Sequence, residues 1–533
     1  MGRSPETGRK LRQGRAARTV APVVTLGCVD DARRTASEGI TNERRTDLGQ
    51  VMTPMGVATF MAGMFQNAEP HLRLLDAGAG VGSLTAAWVS AASRRRPKPK
   101  TIHVTVFEVE PAFDAALRDT ISRCRAIATS VGIEFGAEVI TRDFVEFAVE
   151  CLGDLFGSPP PSFTSTILNP PYRKLNTASR TRRQLESVNA GTTNLYAAFL
   201  TLANRMLRPG GEMVAITPRS FCNGPYFKSF RAEFLEVMSL RRIHIFDGRD
   251  TAFSDDGVLQ ENVIVHAART EKKTPRVMVT SSRNAAEGGC TSRSVRLRDI
   301  VRPEDPDLFI WIPTDAAAQN VITKMRSLSQ SLATLGLTVS TGRVVEFRAR
   351  DYLRMEPAGR CAPLVYPGHF SDGFVKWPRP GYRKPNAIIR APDTTTLLVP
   401  SSIYVLVKRF SSKEERRRIV AAVYDCSRLD AEVVGFENHL NYFHEEGAGL
   451  SLPLAKGLSA FLNTTTVDLY FRQFNGHTQV NATDLRSLPY PTREELCAVG
   501  NEIDNLMPAQ VETDELVDRV IFNRPSAKRA ASA

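Results

Sequence analysis

The 533-residue sequence contains no Cys-x-x-Cys pair. Its eight cysteines (Cys28, Cys124, Cys151, Cys222, Cys290, Cys361, Cys426 and Cys497) are scattered, which argues against a disulfide framework and against a thiolate metal site. No apolar run approaches the roughly 18 to 20 residues that cross a bilayer, and the start lacks the hydrophobic stretch of a secretion signal. A cytoplasmic protein with no membrane partner is expected. Acidic residues are scarce at the N-terminus, where Arg3, Arg9, Lys10, Arg12, Arg15 and Arg18 face only Glu6. Such a stretch is too polar to fold alone, so residues 1–40 read as a flexible basic arm. There is no internal repeat and no low-complexity block in the body of the chain.

What is present is a positive balance of +12, which favours a polyanionic partner because Lys and Arg that neutralise phosphates release condensed counterions. The length calls for two domains. Over 41–270 short apolar runs alternate with helical periodicity, the pattern of a parallel sheet flanked by helices. Strands are expected at Leu72 to Asp76, His103 to Glu108, Ser165 to Leu168, Glu212 to Thr217, Arg241 to Phe246 and Asn262 to His266. The segment Asn194 to Leu207 reads as an amphipathic core helix, with Leu195, Phe199, Leu202 and Met206 on one face. Residues 271–300 are polar and Gly/Ser-rich and read as a linker. A second, α+β domain is expected over 301–522, with a strand at Leu397 to Leu406 and helical patterns from there to about Leu462. Residues 523–533 read as a tail.

The run Leu74-Leu75-Asp76-Ala77-Gly78-Ala79-Gly80 is a strand entering a glycine-rich turn, where Gly78 and Gly80 let a ligand approach the backbone. The turn alone would also suit a dinucleotide. Acids at successive strand ends tilt it towards S-adenosylmethionine. Asp76 is placed to meet the amino group of the methionine moiety, directly or through water, and Glu108 to accept the ribose hydroxyls. Asp143 is placed to accept from the adenine amino group while Phe144 packs on the base.

The sharpest signal is Ile167-Leu168-Asn169-Pro170-Pro171-Tyr172. An exocyclic amine on a base is a poor nucleophile because its lone pair is delocalised into the ring. Hydrogen bonds from its N–H groups to the Asn169 side-chain oxygen and the Pro170 carbonyl would draw the nitrogen towards tetrahedral geometry. The prolines fix the backbone so that these acceptors converge, and Tyr172 offers a ring on which a flipped base can stack. Glu261-Asn262-Val263 has counterparts in cytosine-C5 methyltransferases, but that chemistry needs a cysteine in a Pro-Cys context and the chain has none.

Leu48-Gly49-Gln50-Val51-Met52-Thr53-Pro54, then the glycine turn, then Asn-Pro-Pro-Tyr, then a large C-terminal region is an order that resembles the gamma-class amino-methyltransferases. The chain most resembles the adenine-N6 DNA methyltransferases of type II restriction–modification systems, in the PstI/BsuBI branch. Ile216 to Gly224, Val339 to Val345 and Phe474 to Leu485 support this, and the resemblance spans roughly residues 46 to 491. It implies a Rossmann-like methyltransferase fold with a C-terminal target-recognition domain, double-stranded DNA as partner, and a cleaving endonuclease, if any, as a separate protein. It also implies that Thr53 and Pro54 help hold the cofactor, and that Phe253 sandwiches the flipped adenine with Tyr172.

The tract Arg173 to Thr193 is long and basic, and reads either as a loop that orders on DNA or as a solvated one. In the C-terminal half, Glu437 to His444 and Asn475 to Asn481 carry amides and imidazoles suited to base edges, residue types that also build turns and buried networks. A zinc site of His439, His444 and His477 lacks cysteine partners. Arg94 to Arg96 and Lys408-Arg409 are candidate phosphate contacts, whereas Arg416 to Arg418 reads as a solvated helical face. Cytosine N4 is the alternative target for the same geometry. RNA or protein-glutamine methyltransferases with Asn-Pro-Pro-Tyr lack so large a C-terminal region.

Overall fold

The computed structural model describes residues 21–39, 52–154, 159–176, 178–246, 261–283, 290–313, 316–411, 415–429, 431–475 and 479–523. The chain forms two compact units, one of residues 1–219 with 229–297, the other of residues 220–228 with 298–533.

The first unit is built on β1 (His71–Ala77), β2 (Thr101–Phe107), β3 (Glu134–Ile140), β4 (Phe163–Leu168), β5 (Leu207–Pro218), β6 (Met238–Phe246), β7 (Asn262–Arg269), β8 (Arg276–Ser282) and β9 (Thr291–Arg296). They form one sheet in the order β3-β2-β1-β4-β5-β7-β6-β8-β9. Pairing is parallel from β3 through β5, and β7 runs antiparallel between β5 and β6. The helices are α1 (Ala21–Glu38), α2 (Met55–Ala62), α3 (Ser83–Ser93), α4 (Asp114–Ser130), α5 (Phe144–Gly153), α6 (Arg180–Ser187), α7 (Leu195–Met206) and α8 (Lys228–Val237). All six residues of β4 are buried, as expected of a central parallel strand covered on both faces.

The order matters for function. After β1 the chain moves outward through β2 and β3, then returns to lay β4 on the other side of β1, with Leu74 opposite Ser165 and Leu75 opposite Thr166. Ligands of open α/β sheets bind outside the carboxyl ends of the strands where the winding reverses. The glycine turn follows β1 and Asn169 follows β4, so this reversal sets two motifs distant in sequence side by side.

Three expectations differ from the structure. Residues 21–38 of the expected arm form α1, which buries Val29 in the core of the first unit while Asp30 accepts from Arg33 Nε at 2.8 Å. The expected linker 271–300 carries β8 and β9. β9 is an edge strand with one buried residue, Val295, so its composition resembles that of a loop. The tract Arg173 to Thr193 contains α6, whose first turn is capped by Ser179 Oγ accepting from Arg182 N at 3.3 Å and whose Leu185 is fully buried.

The second unit has two sheets. The larger joins β10 (Thr338–Thr341), β20 (Leu440–His444), β17 (Tyr404–Lys408), β18 (Ala421–Tyr424), β14 (Phe374–Val375) and β13 (Phe370–Ser371). The smaller joins β11 (Leu353–Arg354), β15 (Ala387–Ile389), β12 (Cys361–Val365), β19 (Val433–Phe436) and β16 (Leu398–Pro400). The expected strand Leu397 to Leu406 is thus split between sheets. The stretch from Leu406 towards Leu462, expected to be helical, carries strands β17 to β20 up to His444, with Ala421–Tyr424 and Leu440–His444 as continuous buried runs. Helices α9 (Ala316–Arg326), α10 (Leu452–Leu462), α11 (Thr465–Phe474), α12 (Ala482–Arg486), α13 (Arg493–Asn501) and α14 (Gln510–Val517) complete the unit.

Candidate active site

The turn after β1 holds Gly78 at φ 81° and Gly80 at φ 57°, left-handed conformations that a side chain would strain. A Cβ added to Gly78 would stand 3.9 Å from the Phe199 ring, so its absence leaves room beside that ring. Gly80 N donates to Glu108 Oε2 at 2.7 Å, and Val109 N and Glu110 N both donate to Glu108 Oε1 at 2.8 Å. The end of β2 is therefore tied to the glycine turn through one buried carboxylate.

These elements open onto a cleft between the glycine turn and the Asn-Pro-Pro-Tyr turn. Gly78, Glu108, Asp143 and Phe144 line it, as does Pro171 of the Asn-Pro-Pro-Tyr turn. Asp143 caps α5, accepting from Glu146 N at 3.0 Å, and so points its carboxylate from the helix start. The wall is aromatic: Phe144 lies 5.3 Å from Phe107 and 5.1 Å from Phe199, ring centroid to centroid. Phe107, Phe199 and Arg173 line the cleft but were not among the site residues expected from the sequence. Phe199 follows the helical period of a core residue, and only the register of α7 against β4 shows that its ring ends at the cleft.

Asn169 is 8% exposed and held at both ends. Its Nδ2 donates to Thr53 Oγ1 at 3.0 Å, and its Oδ1 accepts from the Tyr172 hydroxyl at 2.8 Å. The same hydroxyl lies 3.2 Å from the Ile216 carbonyl at the end of β5. Burial pushes the Tyr172 phenol well above its usual range, so it is a donor at any physiological pH. Thr53 contacts Asn169, and Pro54 precedes α2, its carbonyl accepting from Ala58 N at 2.9 Å. Pro170 sits between Asn169 and the cleft-lining Pro171.

Asp76 is fully buried, and the residues lining the cleft do not include it. Its Oδ2 accepts from Thr85 Oγ1 at 2.7 Å, tying β1 to the first turn of α3, while Oδ1 has no hydrogen-bond partner among the described residues. Burial pushes its pKa up to about 7. Phe253 and residues 48–51 lie outside the described residues.

In the second unit, Arg418 is buried rather than solvated, donating from Nη2 to Asn475 Oδ1 at 2.8 Å. Asn475 in turn donates to Asp484 Oδ2 at 3.1 Å, so part of the Asn475 to Asn481 stretch is an internal network. His439 pairs with Glu437 and His444 with Ser340, and His477 lies outside the described residues. In the first unit Arg95 binds Asn67 while Arg94 and Arg96 are exposed.

A glycine turn and an Asn-Pro-Pro-Tyr turn flanking one cleft at the winding reversal define an S-adenosylmethionine-dependent methyltransferase fold. The methylases of restriction–modification systems match in detail. An Eco57I restriction-modification methylase domain matches residues 159–253. The type II methyltransferase M.PstI of Providencia stuartii is 42% identical over 503 residues, 94% of this chain and 98% of that protein. The type II methyltransferase M.BsuBI of Bacillus subtilis is 40% identical over 508 residues, 93% of this chain and 98% of that protein. The chain belongs to this family of type II DNA methyltransferases, whose methyl donor is S-adenosylmethionine. Among solved structures, the type IIL restriction-modification enzyme MmeI in complex with DNA shares the fold, with a TM-score of 0.53 at 12% identity over 95% of this chain and 76% of that one.

Proposed function

We propose that the enzyme methylates N6 of an adenine within a specific duplex sequence, and that this protects the DNA from a separate cognate endonuclease. The observation that carries the reading is Asn169 at the end of β4, its amide held by Thr53 and its neighbour Pro171 on the wall of the cleft. The cleft suits the donor: rings at Phe107, Phe144 and Phe199 for a purine, carboxylates at Glu108 and Asp143 for hydroxyl and amino groups, and no side chain at Gly78. Bound there, S-adenosylmethionine supplies an electrophilic methyl group on a sulfonium.

The chain's own residues then act on the base. Asn169 Oδ1 and the Pro170 carbonyl accept the two N–H groups of the adenine amine and localise its lone pair. With the donor held in the cleft, its methyl group would pass from the sulfonium to this nitrogen, which would then release its surplus proton. Because Tyr172 already donates to Asn169 Oδ1, the incoming amine displaces that hydroxyl, which keeps the Ile216 carbonyl as its acceptor. The Tyr172 ring stacks on the extruded base.

The test is to incubate the purified protein with labelled S-adenosylmethionine and plasmid DNA, then sequence by a method that reports modified bases. N6-methyladenine at one recurring sequence is the expected result. N4-methylcytosine would overturn the base assignment, and label in protein or RNA but not in DNA would overturn the substrate.

A further inference from the structure

Three stretches of the second unit that lie far apart in sequence meet at the end of β17. Arg409 N donates to the His439 carbonyl at 2.8 Å, and Val480 N donates to the Arg409 carbonyl at 2.7 Å. Arg409 Nη1 reaches the Asn438 carbonyl at 3.2 Å, and Phe410 pairs as an isolated bridge with Gln479. A fourth stretch closes the back of the cluster, with Asn438 N donating to the Val344 carbonyl at 2.9 Å.

Two rings of this assembly face outward, with the Arg409 guanidinium half-buried beside them. Phe410 is 41% exposed, His439 is 49% exposed, and their rings lie 4.8 Å apart. The Arg409 guanidinium stands 5.8 Å from the Phe410 ring. His439 is not loose: the fully buried Glu437 holds Nδ1 at 2.5 Å through Oε1 and accepts from His439 N at 2.9 Å through Oε2. Nδ1 is thereby committed to the interior, and Nε2 is the ring nitrogen that remains for an outside partner. Fixing an exposed imidazole with a buried carboxylate costs desolvation that a turn alone does not require. A cation, an oriented imidazole, an exposed aromatic ring and two amides are together the side-chain chemistry that meets phosphates and base edges.

We propose that Arg409, Phe410, Asn438, His439 and Gln479 form a surface with which the second unit contacts its duplex DNA target, with His439 at a base edge and Arg409 on the phosphate backbone. The inference rests on the reading of the enzyme as a sequence-specific DNA methyltransferase. It is independent of whether the methylated base is adenine or cytosine.

The experiment compares the wild-type enzyme with His439→Ala and Phe410→Ala, using the duplex that the wild type methylates and the same duplex with one base pair of its site changed. For the variants, KM for the cognate duplex should rise about ten- to a hundred-fold, and the preference over the altered duplex should fall by a similar factor. The dissociation constant for S-adenosylmethionine, a property of the other unit, should stay within about twofold and reports that the variant is folded. Unchanged KM and unchanged preference in both variants would overturn the surface. A wild type that methylates no DNA would instead overturn the function, so the two failures are distinguishable. Should one variant lose cofactor binding, the other and Arg409→Gln decide, the latter expected to weaken both duplexes equally and to flatten the salt dependence.

Discussion

On the proposed reading, the Asn169 oxygen that would receive a substrate amine is already engaged within the protein. The Tyr172 hydroxyl donates to Oδ1, and Thr53 Oγ1 accepts a hydrogen bond from the amide nitrogen. Removing the acceptor by Asn169→Ala should lower single-turnover transfer by about a hundred-fold or more while cofactor affinity is retained, as for other preorganised hydrogen-bond partners. Tyr172→Phe makes a sharper comparison, since it keeps the ring and removes the competing donor. Transfer at the wild-type rate or faster is expected for Phe, and a loss of at least about tenfold for Ala, which loses the stacking face. A tenfold loss in Tyr172→Phe would mean that the hydroxyl itself takes part. Asp76 gives a prediction of a different kind. Its folded pKa, about 7, is raised by burial above the ordinary aspartate value of 3.8. The unfolded chain therefore releases this proton at lower pH than the folded protein does. Its effect is absent below about pH 4, grows as a loss of stability while the pH rises towards about 7, and is constant beyond. Asp76→Asn should remove that loss, so its melting temperature should exceed the wild type's by a margin that widens between those limits. A constant offset across the range would refute the assignment.

Elements place these side chains, and one close approach between two helices lies in the second unit. Helices α10 and α13 cross with backbone against backbone: a Cβ on Gly457 would stand 1.8 Å from the Leu496 carbonyl oxygen, and one on Gly500 would stand 1.7 Å from that of Pro453. Neither atom is the tip of a flexible side chain, so the helices must part to admit a methyl group. Gly457→Ala should therefore cost at least about 3 kcal/mol in chemical denaturation, although alanine is the better helix former. A variant as stable as the wild type would show that this crossing is looser than described. Such an approach is not legible in sequence, because a glycine inside a helical pattern looks the same whether it faces solvent or another backbone. The first unit is far more legible. β1, β2, β4, β5, β6 and β7 each begin or end within a few residues of the expected strands, since both faces are covered and the apolar runs are continuous. The glycine turn and Asn-Pro-Pro-Tyr stand out for a related reason, each fixed by backbone needs that few residues meet. The second unit hides its strands because they are short and pair across long separations, as β12 does with β19. Its candidate DNA surface shows in the sequence only as unconnected polar stretches, which β17 brings together.

At the scale of the whole molecule, charge and reading are separable functions, and the sequence distributes them unequally. The excess of +12 includes the basic run among residues 1–20, which precedes α1. A run of basic side chains with a single acid is expected to neutralise phosphates of whatever sequence it meets, a uniform increase in affinity that weakens steeply with salt. Deleting residues 2–20 should therefore weaken binding to cognate and unrelated duplexes by the same factor. It should also lower the slope of log affinity against log salt by about 0.9 for each phosphate that the segment neutralises, and leave the ratio between the duplexes unchanged. The His439 and Phe410 variants should show the reverse pattern, a fall in that ratio at nearly constant slope. Measuring both sets on the same two duplexes across a salt series resolves them: if the deletion weakened only the cognate complex, residues 1–20 would belong to recognition rather than to the electrostatic attraction on which recognition builds.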